Sequence, residues 1–202
     1  MLYKDFKRCG MSVLVNVPTL VSDKVLLREI NVPTDAPEWY KHMKDPEIHQ
    51  WMGDDIPTNV TETRSNLQKY KEIPHIISWA VINNETGKII GIYWIWKPIE
   101  NEDGVLIIPS EVERISKQYW RRGFTKEARK LVYRYCFDTL KANEIHAQVW
   151  KDNVNSIKSL EHAGHICYKE ETKMIERYNS LHVECHFKLT REEWLKSKLM
   201  HY

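Results

Sequence analysis

Tyr119-Trp120-Arg121-Arg122-Gly123-Phe124-Thr125-Lys126-Glu127-Ala128 closes an expected strand and opens a long amphipathic helix. A helix N-terminus presents backbone N–H groups with no intrahelical acceptor, and the aligned peptide dipoles add partial positive charge at the same end. Gly123 stands where a backbone must approach an anion closely or take a positive φ, with no Cβ in the way. The stretch therefore reads as a phosphate-binding turn. A lone glycine between a strand and a helix is a weak signal; a second segment further along sharpens it. Asn153-Val154-Asn155-Ser156 opens another short helix, which ends at Gly164.

Working outward, the apolar or small residues Ala128, Leu131, Val132, Tyr135, Cys136, Thr139 and Leu140 share one face of a helix predicted over Thr125 to Ala142. Upstream, Lys24 to Glu29 reads as a strand, and Thr34 or Asp35 with Pro37 just inside marks a helix start. Thr58 to Ile73 is a second helix closed by Pro74. Ser78 to Ile82 and Lys88 to Trp96 form a hairpin around a polar turn, and Glu111 to Ser116 is the strand that leads into the phosphate turn. Downstream come a strand at Glu144 to Trp150, a helix at Asn153 to His162, and strands near Ile166 to Ile175 and Leu181 to Leu189. Thr190-Arg191-Glu192-Glu193 is a capping box that starts a short final helix.

These segments resemble the GNAT superfamily of acetyl-CoA-dependent N-acetyltransferases, and within it the RimJ/RimL-like branch. That branch reads Tyr-Trp-Gly-x-Gly-Tyr-Ala-x-Glu-Ala at the pyrophosphate loop, then a strand, then Asn-x-x-Ser and a helix ending in Gly-Phe. This chain gives YWRRGFTKEA, EIHAQVW and NVNSIKSLEHAGH in the same order, with LVSDKVLLREINVPTDAPEW as the opening strand and helix. The resemblance implies an α/β (α+β) fold: a mixed, mostly antiparallel sheet flanked by helices, splayed between the strands at Glu111 and Glu144 where acetyl-CoA binds. Residues 1–19 would be an N-terminal arm and residues 20–202 one N-acetyltransferase domain.

The chemistry implied is transfer of an acetyl group to a primary amine, either a protein N-terminus or a small amine such as an aminoglycoside or polyamine, by direct attack in a ternary complex, with no metal. A lysine amine titrates near ~10.4 and an α-amino group near ~8, so a base or a water path must take a proton before attack. Glu113 and Glu111 are the candidates for that base, placed by strand alternation on the same face as Ile115; the alternative is a pair of solvated carboxylates. The resemblance assigns the backbone of Arg114 and Ile115 to the pantetheine arm, and the backbone of Arg121, Arg122, Gly123, Phe124 and Thr125 to the pyrophosphate. The two arginine side chains either add charge-assisted contacts or are solvated. Asn153 carries over as a cofactor contact or is a plain N-cap. Ser156 matches a serine that faces the sulfur, so the donor to the departing thiolate is Ser156, a water, or none.

Four positions depart from the pattern. Thr125 replaces a small residue and Arg121 a frequent glycine. His165 replaces the Phe after Gly164, and Leu160 stands where many members carry a tyrosine acid. Thr125, Leu160 and a base not fixed by the residues keep open the alternative of an acyl-CoA-binding module with little or no turnover.

With 202 residues the chain suits one domain with a substantial core, and thirty basic against twenty-eight acidic residues leave no polyanion footprint, so no nucleic-acid partner is expected. The most apolar run, Ile89 to Trp96, is too short to span a bilayer, and the charge-broken start MLYKDFKRCGMSVLVNV is unlike a secretory signal. Four dispersed cysteines without a CxxC pair read as reduced thiols; the expectation is a cytoplasmic protein away from membranes, with a homodimer left open. Trp51, Asp54, Asp55, Tyr93, Trp94 and Trp96 are candidates to line the amine pocket, the acids attracting a cation and the aromatic residues competing with core packing. His162, His165 and Cys167, and likewise His182, Glu184, Cys185 and His186, lie near one another but lack zinc-framework spacing, so no metal is expected.

Overall fold

A computed structural model describes residues 16–51, 55–175 and 179–197. The chain opens with β1 (Leu20–Val21) and β2 (Val25–Arg28), followed by α1 (Val32–Met43) and α2 (Val60–Glu72). The hairpin of β3 (Ile76–Asn83) and β4 (Ile89–Trp96) comes next, then the short strands β5 (Ile99–Glu100) and β6 (Leu106–Ile108), then β7 (Glu111–Ile115). After α3 (Phe124–Arg134) come β8 (Glu144–Trp150), α4 (Val154–His162), β9 (Ile166–Ile175), β10 (Ser180–Thr190) and α5 (Arg191–Lys196).

The strands make two five-stranded sheets, ordered β1-β2-β3-β4-β7 and β5-β6-β8-β10-β9, antiparallel throughout except for the parallel pair β6 and β8. This is the mixed α/β architecture expected, and the division between the sheets is what makes the splay. Ile107 and Ile108 of β6 pair with Glu144 and Ile145 of β8, yet from Glu111 onward the same run of chain pairs with β4 instead. At the parting, Ser110 Oγ donates to Gln148 Oε1 (2.9 Å) and Gln148 Nε2 donates to the Pro109 carbonyl (3.1 Å). Beyond this pin β7 and β8 separate, and the far edge of β7 has no ladder partner among the described residues.

Burial follows the two faces of the first sheet. Trp79, Tyr93, Ile95 and Ile115 face α3 and pack with Ala128, Val132, Tyr133 and Trp194, while Ala80, Ile82, Ile89 and Ile92 face α1 and α2 and pack with Trp39, Met43 and Leu67. No helix among the described residues is long and apolar enough to cross a membrane.

Some boundaries differ from expectation for local reasons. Helix α1 begins at Val32, ahead of Thr34, because Asp35 is not its cap: it is buried, takes a two-pronged ion pair from Arg28 (2.6 and 2.8 Å), and accepts from the Asn31 N–H (2.8 Å). The helix predicted to Ala142 is α-helical only to Arg134, and its last turn, Tyr135–Thr139, widens into a π-turn. Of the expected arm, residues 1–15 lie outside the described residues; Pro18 is tied to the body, its carbonyl accepting from the Trp79 indole (2.8 Å).

Candidate active site

The turn between β7 and α3 is built by two left-handed residues. Arg121 (φ +57°) and Gly123 (φ +79°) both take the conformation that costs an ordinary side chain energy. Gly123 is the N-cap of α3 and has no side chain with which to cap the first-turn amides, where the sequence places a phosphate. Phe124 is buried as an anchor, its ring edge-on to Tyr119 at 5.2 Å, and the exposed Arg122 lies over both rings at 5.5 and 5.6 Å. Lys24, which sequence reasoning missed, reaches the same turn. Its ammonium donates to the Arg122 carbonyl, sits 4.9 Å from the Phe124 ring, and would be 3.4 Å from a Cβ on Gly123.

Which backbone groups β7 offers to the splay follows from its register. In an antiparallel ladder, residues alternate between turning their N–H and C=O toward the partner strand and away from it. Ser116 N–H bonds to the Ile90 carbonyl (2.8 Å) and Trp96 N–H to the Ser110 carbonyl (2.9 Å), so residues 110, 112, 114 and 116 face β4. The Arg114 backbone is thus spent on the ladder and its side chain is buried toward Met43, contrary to its expected role on the pantetheine arm. The open edge belongs to Glu111, Glu113 and Ile115. The Ile115 carbonyl takes the Trp120 indole N–H (2.7 Å), which leaves the amides of Glu111, Glu113 and Ile115 as the donors along that edge.

On the α3 face of β7, the two candidate bases are not solvated; they sit in a buried polar network. Glu111 accepts from the hydroxyls of Tyr93 and Tyr133, one on each carboxylate oxygen. Arg129, also buried, places Nη2 3.4 Å from Glu113 and Nε 3.7 Å from Glu111, and donates from Nη1 to Ser159 Oγ on α4 (2.7 Å). Burial, with the nearby Glu111 carboxylate, pushes the Glu113 carboxyl up to about 8, although Arg129 and the Thr125 hydroxyl pull the other way. Among the described residues, Glu113 Oε1 has no hydrogen-bond partner. Burial raises both tyrosine hydroxyls well above their usual range, and the Glu111 charge adds to it. Burial alone would lower Arg129, but the acids and phenols around it outweigh that and hold it charged.

His165 closes the network. Its ring packs on Tyr133 (5.5 Å between centroids), with Nε2 3.4 Å from the Tyr133 hydroxyl. Burial and the Arg129 charge drive it down to about 3, so it is neutral. The histidine in place of an expected phenylalanine is thus a core residue that answers Tyr133. A depressed histidine contributes stability that is present above the unfolded pKa of ~6.5 and is lost as pH falls from there toward 3, because the unfolded chain binds the proton more readily. His165→Phe is therefore expected to flatten the loss of stability below about pH 6.5. The variant should gain on the wild type between pH 7 and pH 4 by several degrees of melting temperature, at about 2–4 °C per kcal/mol for a chain of this size. Parallel acid-side melting curves for the two proteins would refute the assignment.

On α4, Asn153 is the N-cap, its Oδ1 accepting from the Ser156 N–H (3.2 Å), and Ser156 lies half-buried in the first turn. Leu160 is buried with Ala147, Cys185 and Phe187, so the site of the missing tyrosine is a core position. The residues expected to line an amine pocket do not form one group. Tyr93 is fully buried on the α3 face and spent on Glu111, whereas Trp94 and Trp96 point to the opposite face, Trp94 into the α1/α2 core and Trp96 stacked on His75 at 6.2 Å. Trp51 is half-buried, Asp55 is exposed, and Asp54 lies outside the described residues.

The suspected metal clusters are also rearranged. His165 is engaged by Tyr133, and His182 bonds Ser180 (2.8 Å). Among the described residues, the donor atoms that lie within 4.8 Å of one another are those of Cys167, Glu170 and Cys185, and those of Glu171, Glu184 and His186. Lys151 pairs with Glu170, and Lys173 with Glu171 and Glu184.

The family model described as Acetyltransferase (GNAT) domain matches residues 24–166, from Lys24 at the turn to just past His165. The chain is 26% identical over 150 residues to the Bacillus subtilis (strain 168) protein named Uncharacterized N-acetyltransferase YoaA, covering 71% of this chain and 80% of that one. In fold it is similar to a GCN5-related N-acetyltransferase from Brucella melitensis, with TM-score 0.78 and 19% identity over 92% of this chain and 83% of that one. It is also similar to spermidine N-acetyltransferase from Vibrio cholerae, solved in complex with CoA and spermine, with TM-score 0.70 and 12% identity over 86% and 99% of the two chains.

Proposed function

The chain belongs to the GNAT acetyltransferase family, and we propose that it moves the acetyl group of acetyl-CoA to a primary amine by direct attack in a ternary complex. The observation that carries this reading is one juxtaposition: the edge of β7 that is unpaired among the described residues, with the Glu113 and Ile115 amides along it, is followed through the short turn at Lys117–Tyr119 and the left-handed Arg121 and Gly123 by the glycine-capped start of α3. A strand edge pairs with an extended amide-bearing arm, and an uncapped helix start takes a pyrophosphate, so the two together suit the two parts of CoA. Lys24 adds a positive charge beside the turn. A strand-edge N–H aimed at the thioester oxygen would stabilise the charge that develops there.

Between the two acids, Glu113 is the better base. Glu111 has both carboxylate oxygens already accepting from phenol hydroxyls, which leaves fewer lone pairs open to an amine proton. Glu113 has a free oxygen and a carboxyl raised to about 8, close to the range in which an amine must be deprotonated. Ser156, at the start of α4, donates to the departing thiolate. The acceptor follows the RimJ/RimL-like motif around Gly123 toward a protein N-terminal amine, with a small polyamine as the other class to be screened.

The test is a thermal melt with acetyl-CoA, followed by a thiol-release assay over peptides with free N-termini and over polyamines. A ligand bound by the native state alone adds about 2.7 kcal/mol at ~100 times its dissociation constant, so a clear upward shift is expected. A folded protein whose melt ignores millimolar acetyl-CoA would rule out the co-substrate. A shift without thiol release from any amine would make this an acyl-CoA-binding module.

A further inference from the structure

Thr125, Arg129 and Tyr133 recur every four positions along α3, so they stand on one stripe of the helix. That stripe faces the side of β7 that carries Glu111 and Glu113, two residues apart. Arg129 is the centre of the arrangement, the group that ties β7 to α4. It reaches Glu113 and Glu111 on β7 and, from α3, donates to Ser159 on α4 at 2.7 Å. Strand β7 and helix α4 carry the residues assigned above to the two sides of the thioester. A change in how the guanidinium is held therefore moves both at once.

Charge accounting gives the guanidinium a second task. Two carboxyl groups face one buried cation; Tyr93 from β4 and Tyr133 from α3 supply neutral hydroxyls to Glu111, the Thr125 hydroxyl faces Glu113, and His165 beyond Tyr133 is neutral. One carboxylate is balanced by Arg129 and the second is in excess, so a buried site favours one proton shared by the pair. The phenols occupy both Glu111 oxygens, whereas Glu113 keeps Oε1 without a hydrogen-bond partner among the described residues, so Glu113 has the open position for that proton.

Resting on the reading of Glu113 as the proton acceptor, we propose that Arg129 is a positioning residue: it clamps Glu113 and Glu111 to Ser159, sets the spacing of the splay's two walls, and keeps Glu113 able to become a carboxylate at all. Without the guanidinium, a buried Glu113 beside Glu111 would ionise only at much higher pH.

The test compares Arg129→Met, which keeps length and loses charge, with Arg129→Lys, which keeps charge and loses the fork. The first readout needs no substrate: the Glu113 side-chain carboxyl is followed by 13C NMR in glutamate-labelled protein and assigned with Glu113→Gln. In Arg129→Met its midpoint should rise by about one pH unit or more, the scale on which a neighbouring opposite charge acts, and Arg129→Lys should restore part of the shift. The second readout is turnover against pH, whose rising limb should move upward by the same amount, with kcat falling more than KM for acetyl-CoA rises. Should Arg129→Met not fold, Arg129→Lys and Ser159→Ala carry the same comparison: the lysine should shift the carboxyl, and the loss of the Ser159 acceptor should raise KM for acetyl-CoA. A Glu113 carboxyl that titrates at the wild-type pH in the arginine variants would overturn the clamp. A carboxyl that moves while the rate profile stays in place would overturn Glu113 as the acceptor, and the clamp's catalytic role with it.

Discussion

Glu113→Gln is expected to lower turnover by about 10²- to 10⁴-fold, the usual contribution of a positioned general base, while leaving acetyl-CoA affinity nearly unchanged. Affinity is spared because β7 meets the co-substrate through its backbone edge, and because glutamine copies the neutral acid in shape. With its carboxyl pushed up to about 8, Glu113 is mostly protonated at neutral pH, so the substitution removes little that the resting protein uses. The wild-type rate should rise as pH passes through about 8, and the variant's residual rate should lack that limb. Stability supplies an independent check. A carboxyl raised above its unfolded value of ~4.3 stabilises the fold at low pH, and that stability is lost as pH climbs from there through about 8. Urea melts at pH 5 and pH 9 should therefore show a fall for the wild type that is smaller in Glu113→Gln. If the variant keeps the full rate and the same pH profile, the proton leaves through ordered water or the amine arrives neutral, and Glu113 is only a structural partner of Arg129.

The readable parts of this chain are those in which one local pattern decides one local structure. The apolar stripe from Ala128 to Cys136 made α3, the hairpin around Asn83 to Gly87 made β3 and β4, and Thr190 with Glu193 made the capping box of α5. Gly123 was legible as well, since few residues other than glycine tolerate the φ of +79° it adopts. What escaped was set by partners distant in sequence. Arg129 lies beside Ala128 in the helix pattern and reads as solvent-facing until β7 brings two carboxylates to it. Residues 106–108 form a short strand that pairs on one side with the two-residue β5, and its place in the second sheet comes from a parallel partner much later in the chain, β8. The backbone parity of β7, which turns Arg114 inward and Ile115 outward, depends on its register against β4 and leaves no trace in the residues themselves. Tyr93, Trp94 and Trp96 illustrate the same limit: alternation splits them between two faces, and only the packed helices show that one face holds the acids and the other the α1/α2 core. The spacing of Thr125, Arg129 and Tyr133 was the available signal, a polar stripe at helical period beside an apolar one.

Gly91→Ala is expected to cost about 3 kcal/mol of stability and to weaken acetyl-CoA binding tenfold or more, although the residue touches neither acid nor turn. Gly91 lies opposite Ile115 in the ladder, next to the register shift between Val81 and Ile82 on the strand behind it. A Cβ there would come within 2.4 Å of Ile115 Cδ1 and 2.6 Å of the Arg114 carbonyl oxygen. The isoleucine tip could rotate away, but the carbonyl is backbone held in the ladder, so β7 itself must shift. Displacing β7 at Ile115 moves the amide that opens the strand edge, the carbonyl that holds the Trp120 indole, and through them the turn at Gly123. A loss of stability alone could come from any core change, so Ile92→Val is the control. It alters the next residue on the opposite face, toward α1 and α2, at a cost of about 0.5–1.5 kcal/mol and without touching β7's edge. Equilibrium unfolding and the acetyl-CoA thermal shift, measured on both variants, separate the two effects: Ile92→Val should keep the shift and Gly91→Ala should lose most of it. Retention of wild-type binding in a destabilised Gly91→Ala protein would mean that the position of Ile115 does not govern the co-substrate site, and the strand edge of β7 would lose its place in the mechanism.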